Sequence, residues 1–239
     1  MAPRIASLRP SPIAFAHRGA RAHTAENTLE AFRLALRLGA DGLESDVWLT
    51  ADGVAVLDHD GVVGGRLRRR SIADVARSDL PPHIPSLAEL YEECGTGFEL
   101  SLDVKDPAAL DATVAAARAV GAAERLWLCH HDWNRVASWR EGHPDVRLVD
   151  STRIRAMRDG PERRAAQLAD AGIDAVNLHA SDWSGGLTTL FHRFGITCFG
   201  WDAQLERVLD QLLAAGIDGV YSDHVDRMVE SVRRAALDS

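Results

Sequence analysis

Long apolar runs, a basic excess and a cysteine framework are all missing from this chain of 239 residues. No stretch approaches the ~18 uninterrupted apolar residues of a membrane span, so stable membrane insertion is not expected. Lys and Arg number 27 against 35 Asp and Glu, a net charge of −8 that lacks the basic footprint of a nucleic-acid binder. The three cysteines, Cys94, Cys129 and Cys198, are odd in number and far apart. That spacing argues against a disulfide scaffold and for reduced thiols. Residues 1–12 carry Arg4, Arg9 and three prolines (Pro3, Pro10, Pro12) but no apolar signal core, so a cytoplasmic protein is expected. Low-complexity tracts and long linkers are lacking too. One domain over 1–239 is the expectation, a size that α/β barrels commonly reach. What is present is ordinary globular composition, 46% hydrophobic and 26% charged, enough to fill a sizeable core.

A phrase recurs along the chain: a helical pattern, then glycine, then a short apolar run. Copies stand at Leu38-Gly39-Ala40-Asp41-Gly42-Leu43, Val120-Gly121, Ala171-Gly172-Ile173-Asp174-Ala175-Val176, Phe194-Gly195-Ile196 and Ala215-Gly216-Ile217-Asp218-Gly219-Val220. Glycine caps the helix and the run that follows reads as a buried strand, the cadence of parallel βα units. Strands are expected at 13–17, 42–48, 54–58, 98–104, 126–130, 146–149, 174–178, 196–201 and 218–221. The runs 42–48 and 54–58 are joined only by Leu49-Thr50-Ala51-Asp52-Gly53, too short for the dozen or so residues of a parallel crossover. They must pair as an antiparallel hairpin. Eight strands then remain for a (β/α)₈ TIM barrel, with the hairpin in the loop after strand two and a short insertion behind it. An open doubly wound sheet is the alternative.

In a parallel barrel, active residues gather at the carboxyl ends of the strands. His17 and Arg18 end strand one, Glu44 and Asp46 lie in strand two, His59 ends the hairpin, Asp103 and Lys105 end strand three, and Trp201 ends strand seven. The spacing Glu44-x-Asp46 points both carboxylates to one side of a strand. Leu43, Val47 and Trp48 make that strand buried, where unpaired carboxylates are costly. With Asp103 as a third carboxylate, the expected partner is a hard divalent cation, Mg²⁺ or Ca²⁺, since no Cys or His stands at zinc spacing. Imidazole is the side chain whose ordinary range lies near neutrality, so His17 and His59 suit a general acid and base on a phosphodiester. Arg18 and Lys105 read either as ion-pair partners or as holders of the phosphate oxygens.

Other residues carry weaker signals. Asn27 or Thr28, before the helical run from Leu29, is expected as an N-cap, with Asn27 favoured, and Glu26 is ambiguous. Trp201 reads equally as core filler or as pocket wall. Of His130 and His131 at most one can face the pocket, and these, His179 and Asp182 carry no firm role. The arginine run at 66–70 reads as a solvated face and Asp223 as ordering the closing loop.

Taken together, Ala16-His17-Arg18-Gly19, Glu26-Asn27-Thr28-Leu29-Glu30-Ala31-Phe32, Gly39-Ala40-Asp41, Glu44-Ser45-Asp46-Val47, Thr50-Ala51-Asp52-Gly53 and His59-Asp60 resemble the glycerophosphodiester phosphodiesterases. The match continues through Ile84-Pro85-Ser86-Leu87, Asp103-Val104-Lys105, Trp201 and Gly216-Ile217-Asp218-Gly219-Val220-Tyr221-Ser222-Asp223. The resemblance implies a TIM barrel, a cation on Glu44, Asp46 and Asp103, His17 and His59 as acid and base, and Arg18 near the phosphate. It also implies attack by the substrate glycerol's own 2-hydroxyl, then opening of the cyclic phosphate by water to give glycerol 3-phosphate and an alcohol. Three departures stand out: Ala25 where the family has Pro, Asp103 where Glu is usual, and a short segment after Asp60. The expected partner is a small phosphodiester, with no bearing on oligomeric state. Rival expectations are a lysophospholipase D or sphingomyelinase D-like lipid enzyme, and a silent barrel that binds phosphorylated metabolites.

Overall fold

The computed structural model describes residues 5–65 and 69–237, so residues 66–68 of the arginine run lie outside the described residues. In chain order the strands are β1 (Ile13–His17), β2 (Gly42–Leu49), β3 (Ala55–Leu57), β4 (Val62–Val63), β5 (Arg70–Ser71), β6 (Glu99–Val104), β7 (Leu126–His130), β8 (Arg147–Thr152), β9 (Ala175–His179), β10 (Thr197–Trp201) and β11 (Gly219–Ser222). The helices are α1 (Leu29–Arg37), α2 (Leu87–Cys94), α3 (Leu110–Ala119), α4 (Trp133–Trp139), α5 (Pro161–Asp170), α6 (Gly185–Arg193), α7 (Glu206–Ala214) and α8 (Val225–Leu237).

The parallel strands run β1-β11-β10-β9-β8-β7-β6-β2, and β1 pairs again with β2 to close the ring. This is the expected (β/α)₈ TIM barrel. β3 lies antiparallel on β2, with Val47 opposite Leu57 and Leu49 opposite Ala55, which is the expected hairpin. The insertion behind it is a two-stranded β4–β5 ribbon over a small core of Val56, Ile72, Val75, Leu80 and Ile84.

The recurring Gly-x-Asp phrase has a physical reason beyond capping. Its glycines adopt positive φ, 96° at Gly39 and 83° at Gly216, which a side chain would strain. Its aspartates then staple neighbouring strands at the barrel's amino end. The carboxylate of Asp41 accepts from the Ala14 backbone N–H of β1 at 3.1 Å, and Asp174 from Leu148 of β8 at 2.8 Å. Asp218 accepts from Cys198 of β10 at 2.7 Å. Their backbone carbonyls accept from the first residue of the strand on the other side, Glu99, Thr197 and Ile13 respectively.

Inside the barrel, alternate residues stack in layers. Ile13, Phe15, Trp127, Cys129, Val149, Ala175, Phe199 and Tyr221 fill the interior below the carboxyl rim. Phe15 stacks on Tyr221 at 4.6 Å between centroids, and Phe199 packs edge-on to Phe15 and Trp127. A Cβ at Gly42 would fall 2.5 Å from the Phe15 ring, so that strand position must lack a side chain. Leucines, valines and alanines on the opposite strand faces pack beneath the helices.

Among the described residues, His192, Cys198 and Asp218 offer donor atoms within 4.8 Å of one another, the spacing of a metal site. The hydrogen bonds argue otherwise. Asp218 already accepts from Ser7 Oγ and Leu8 N at 2.6 Å, and from Cys198 N and His192 Nε2 at 2.7 Å. Burial also keeps the Cys198 thiol protonated, well above its ordinary range. This node ties the N-terminal arm, α6 and two strands together.

Burial opposes ionisation of Asp218, but hydrogen bonds from His192, Ser7 and the Cys198 backbone outweigh it and hold the carboxyl below its usual range. A depressed folded-state value stabilises the fold in full above the ordinary carboxylate range, and that contribution is lost as pH falls through the depressed value. Asp218→Asn is therefore expected to destabilise the protein by about 3 kcal/mol near neutrality. The gap between wild type and variant should narrow below pH ~4. Urea denaturation at several pH values measures it; an equal gap at every pH would refute the assignment.

Candidate active site

Parallel pairing decides which acids meet. The register sets His17 of β1 beside Glu44 of β2, and Asp46 of β2 beside Asp103 of β6. Glu44 and Asp46 are buried, 8% and 3% exposed, so their charges must be met by protein or by a cation. Glu44 Oε2 accepts the Arg18 backbone N–H at 2.9 Å and lies 3.8 Å from His17 Nε2. Asp46 Oδ1 meets Lys105 Nζ at 2.9 Å, and the same ammonium reaches Asp103 Oδ2 at 3.0 Å. Lys105 is the sole lysine of the sequence.

Neutralisation is incomplete. Burial pushes Glu44 up to about 7, with the His17 charge opposing and Asp46 and Asp103 adding to the rise. Burial also raises Asp46 above the usual carboxylate range, although Lys105 works against it. Burial would lower the Lys105 ammonium's value, but Asp103 and Asp46 hold it well above its ordinary range. Asp46 Oδ2 has no hydrogen-bond partner among the described residues, and the Arg18 Nε 3.8 Å away has none either.

The donor set thus fits a hard divalent cation: three carboxylates, one buried oxygen without a partner, and an acid lifted towards neutrality. The Lys105 ammonium lies between Asp46 and Asp103, in contact with both.

The last residue of β1 and the loop after it deliver the other groups. His17 Nδ1 donates to Asp223 Oδ1 at 2.6 Å, which turns Nε2 towards Glu44. Burial lowers the imidazole's value, but Glu44 and the Asp223 hydrogen bond outweigh it, so His17 stands above the ordinary histidine range. Arg18 has φ 53°, and the Gly19 that follows packs against α1 so closely that a Cβ would fall 2.7 Å from Ala31. The Arg18 guanidinium is held by Glu26 Oε1 at 2.9 Å, and Arg21 pairs with the other Glu26 oxygen.

Asp223 is therefore the orienting partner of His17 and does more than order the closing loop. The missed signal was its period-two alternation with inward-facing Tyr221. Asn27 is not the N-cap expected from the sequence. Thr28 caps α1, accepting from Ala31 N at 3.1 Å. Buried Asn27 adopts φ 55°, donates its backbone N–H to the Arg18 carbonyl and accepts from Ser45 Oγ of β2 at 2.7 Å. It fastens the His17–Arg18 loop to the strand that carries the acids.

A cavity of about 660 Å³ opens at this rim, and His17, Arg18, Glu44, Asp103 and Trp201 all line it. Trp201 is thus a wall as well as packing. Lys105 lines a smaller adjoining cavity with Asp103. His59 is not among the lining residues of either; it is half exposed and its Nδ1 pairs with Asp60 at 2.8 Å. Its loop is nonetheless tied to the site, because the Asp58 backbone N–H donates to the Asp46 carbonyl at 3.1 Å and Trp48 Nε1 donates to the Asp58 carbonyl. Of the histidine pair, His131 lines the main cavity and His130 does not. His179 pairs with Asp202, and Asp182 with Arg153. Arg153, Arg155, Ser151 and Asn177, from β8, β9 and the loop after β8, also line the cavity and gave no sequence signal.

A closed parallel barrel with its ionisable side chains at the carboxyl rim defines a TIM-barrel enzyme. The pattern of the glycerophosphoryl diester phosphodiesterase family matches residues 17–227. The chain belongs to that family and is a phosphodiesterase. A glycerophosphodiester phosphodiesterase of Caldanaerobacter subterraneus is 25% identical over 93% of this chain and 98% of its own. The crystal structure of the Thermotoga maritima glycerophosphodiester phosphodiesterase superposes with a TM-score of 0.79 at 24% identity, covering 92% of this chain and 97% of that one. An Oleispira antarctica phosphodiesterase, solved with the product sn-glycerol-3-phosphate, gives 0.80 at 20% identity over 96% and 98% of the two chains.

Removing Asn27 tests the architecture independently of activity. Asn27→Ala leaves the buried Ser45 hydroxyl without its acceptor and a non-glycine residue in left-handed backbone. Together these should cost roughly 2–4 kcal/mol, read as a fall in the urea midpoint. An unchanged midpoint would show that the loop is not held this way.

Proposed function

We propose that the protein hydrolyses glycerophosphodiesters, such as deacylated phospholipids, to glycerol 3-phosphate and an alcohol, using Mg²⁺ or Ca²⁺ on Glu44, Asp46 and Asp103. The observation that carries this reading is the under-neutralised acid pair of β2 lying beside His17 and Arg18. The product bound by the Oleispira enzyme supports glycerol 3-phosphate as the product here as well. When bound, the cation supplies positive charge against the phosphoryl oxygens.

The chain's own groups divide the remaining work. Arg18, fixed at one side by Glu26, offers its Nε–H to a non-bridging phosphate oxygen. Lys105 adds a point charge at the same oxygens, and Trp201 walls the substrate. With Nδ1 held by Asp223, His17 exchanges protons through Nε2, and His59 repeats the pattern with Asp60. In the first half-reaction the glycerol 2-hydroxyl oxygen bonds phosphorus as one imidazole takes its proton. The other imidazole protonates the departing alcohol as its bond to phosphorus breaks. Water then opens the cyclic phosphate with the two roles exchanged. The whole chain, 1–239, acts as one catalytic domain in lipid and glycerol metabolism. Unpaired Cys94, Cys129 and Cys198 support a reducing, cytoplasmic setting. Among the described residues no helix is long and apolar enough to cross a membrane.

Release of glycerol 3-phosphate from glycerophosphocholine or glycerophosphoethanolamine is the direct assay. A chelator should abolish it, and Mg²⁺ or Ca²⁺ should restore it. His17→Ala and His59→Ala should each lower kcat by ~10² or more. Asp223→Asn should lower kcat by about tenfold or more with KM little changed, since it only orients His17. Full turnover in chelator, or in either alanine variant, would sink this mechanism.

A further inference from the structure

The end of the cavity away from His17 is built for charge recognition. Its wall comes from the loop after β8, where Arg153 and Arg155 both line the space. Their situations differ. Arg153 is clamped by Asp182, with Nε at 2.8 Å from Oδ2 and Nη2 at 3.2 Å from Oδ1. Its guanidinium carbon lies 5.6 Å from the centre of the Trp201 ring. Arg155 is exposed and has no hydrogen bond or ion pair among the described residues. Every other arginine or acid of the lining has a partner: Arg18 and Arg21 on Glu26, Glu44 on the Arg18 backbone, Asp103 on Lys105, Asp202 on His179, and Asp223 on His17. A second group lacks a partner. Asn177 is 6% exposed and lines the cavity, yet its Oδ1 accepts no hydrogen bond among the described residues.

These features select a leaving group. A quaternary ammonium head would need an open aromatic face or a free carboxylate. The Trp201 face is covered by Arg153, and Asp202 beside it already accepts from His179 at 3.2 Å and Gln204 at 3.3 Å. Among the described residues, the Arg155 guanidinium and the buried Asn177 acceptor are thus left unmet. We infer that the cavity prefers glycerophosphodiesters whose leaving alcohol bears an anionic substituent, read by Arg155, together with an O–H or N–H donor for Asn177 Oδ1. This rests on the hydrolysis proposed above and assigns its head-group selectivity. The anion is a carboxylate or a second phosphate, and matched pairs of substrates tell them apart.

Glycerophosphoserine and glycerophosphoethanolamine differ by one carboxylate; glycerophosphoinositol 4-phosphate and glycerophosphoinositol differ by one phosphate. In at least one pair the acid-bearing member should show a kcat/KM ~5–10-fold higher, the scale of one charge-assisted contact at a partly open site, expressed mainly in KM. Arg155→Ala should bring that ratio close to one, Arg155→Lys should restore part of it, and Arg155→Glu should invert it. Cleavage of all four substrates with no preference in either pair would overturn the inference and leave the hydrolysis standing. So would an equal loss on both members in Arg155→Ala. Cleavage of none would remove both.

Discussion

Two carboxylates buried two residues apart on β2 set the terms for everything around them. Moving one ionised carboxylate out of water is already costly, and a second on the same strand face adds repulsion. The protein answers from three directions. The backbone of Arg18 and the ring of His17 approach Glu44 from the end of β1, Lys105 bridges Asp46 to Asp103 from just past β6, and the Arg18 guanidinium stops 3.8 Å from Asp46. Among the described residues Asp46 Oδ2 still lacks a partner, and Glu44 is still lifted to about 7. A fold that only needed stability would have placed apolar residues here, since buried ion pairs seldom outperform them.

That tension is tolerable because the barrel is secured elsewhere. Aspartates at the amino end lock neighbouring strands in register, and the aromatic layer of Phe15, Phe199, Trp127 and Tyr221 fills the interior beneath the acids. Register is what carries this security upward. A slip of one residue between β1 and β2 would turn Glu44 to the helix side and bring Ser45 inward. Asn27 adds a second lock at the top by tying the loop after β1 to Ser45. The strained backbone at Arg18 and Asn27 is stored at this upper lock, next to the chemistry.

The parts that could be read in the sequence were those encoded by local repetition or by one strand's alternation. The glycine-capped phrase announced the βα units, the short 49–53 link forced the hairpin, and Glu44-x-Asp46 placed two acids on one face. Parts that depend on closure were hidden. Asp223 reaches His17 only because β11 pairs with β1, across more than two hundred residues of chain. Arg153 and Asn177 face the same cavity because β8 and β9 close the far side of the ring, and no motif marks either residue. Asn and Thr both cap helices well, so residue type alone does not separate Asn27 from Thr28; the left-handed turn at 27 makes Thr28 the cap.

Lys105 shows how composition and site speak to each other. Every other basic side chain in this sequence, histidines apart, is arginine, so a cation between Asp46 and Asp103 had an obvious candidate. Arginine presents a broad planar fork that meets a carboxylate with two parallel donors, whereas a single ammonium nitrogen donates as a point charge to two carboxylates at close range from different strands. The 2.9 and 3.0 Å contacts of Nζ to acids on β2 and β6 are of that second kind. The one lysine therefore stands where a compact positive charge reaches acids on two strands at once, while Arg18 on Glu26 and Arg153 on Asp182 hold charge fixed in direction.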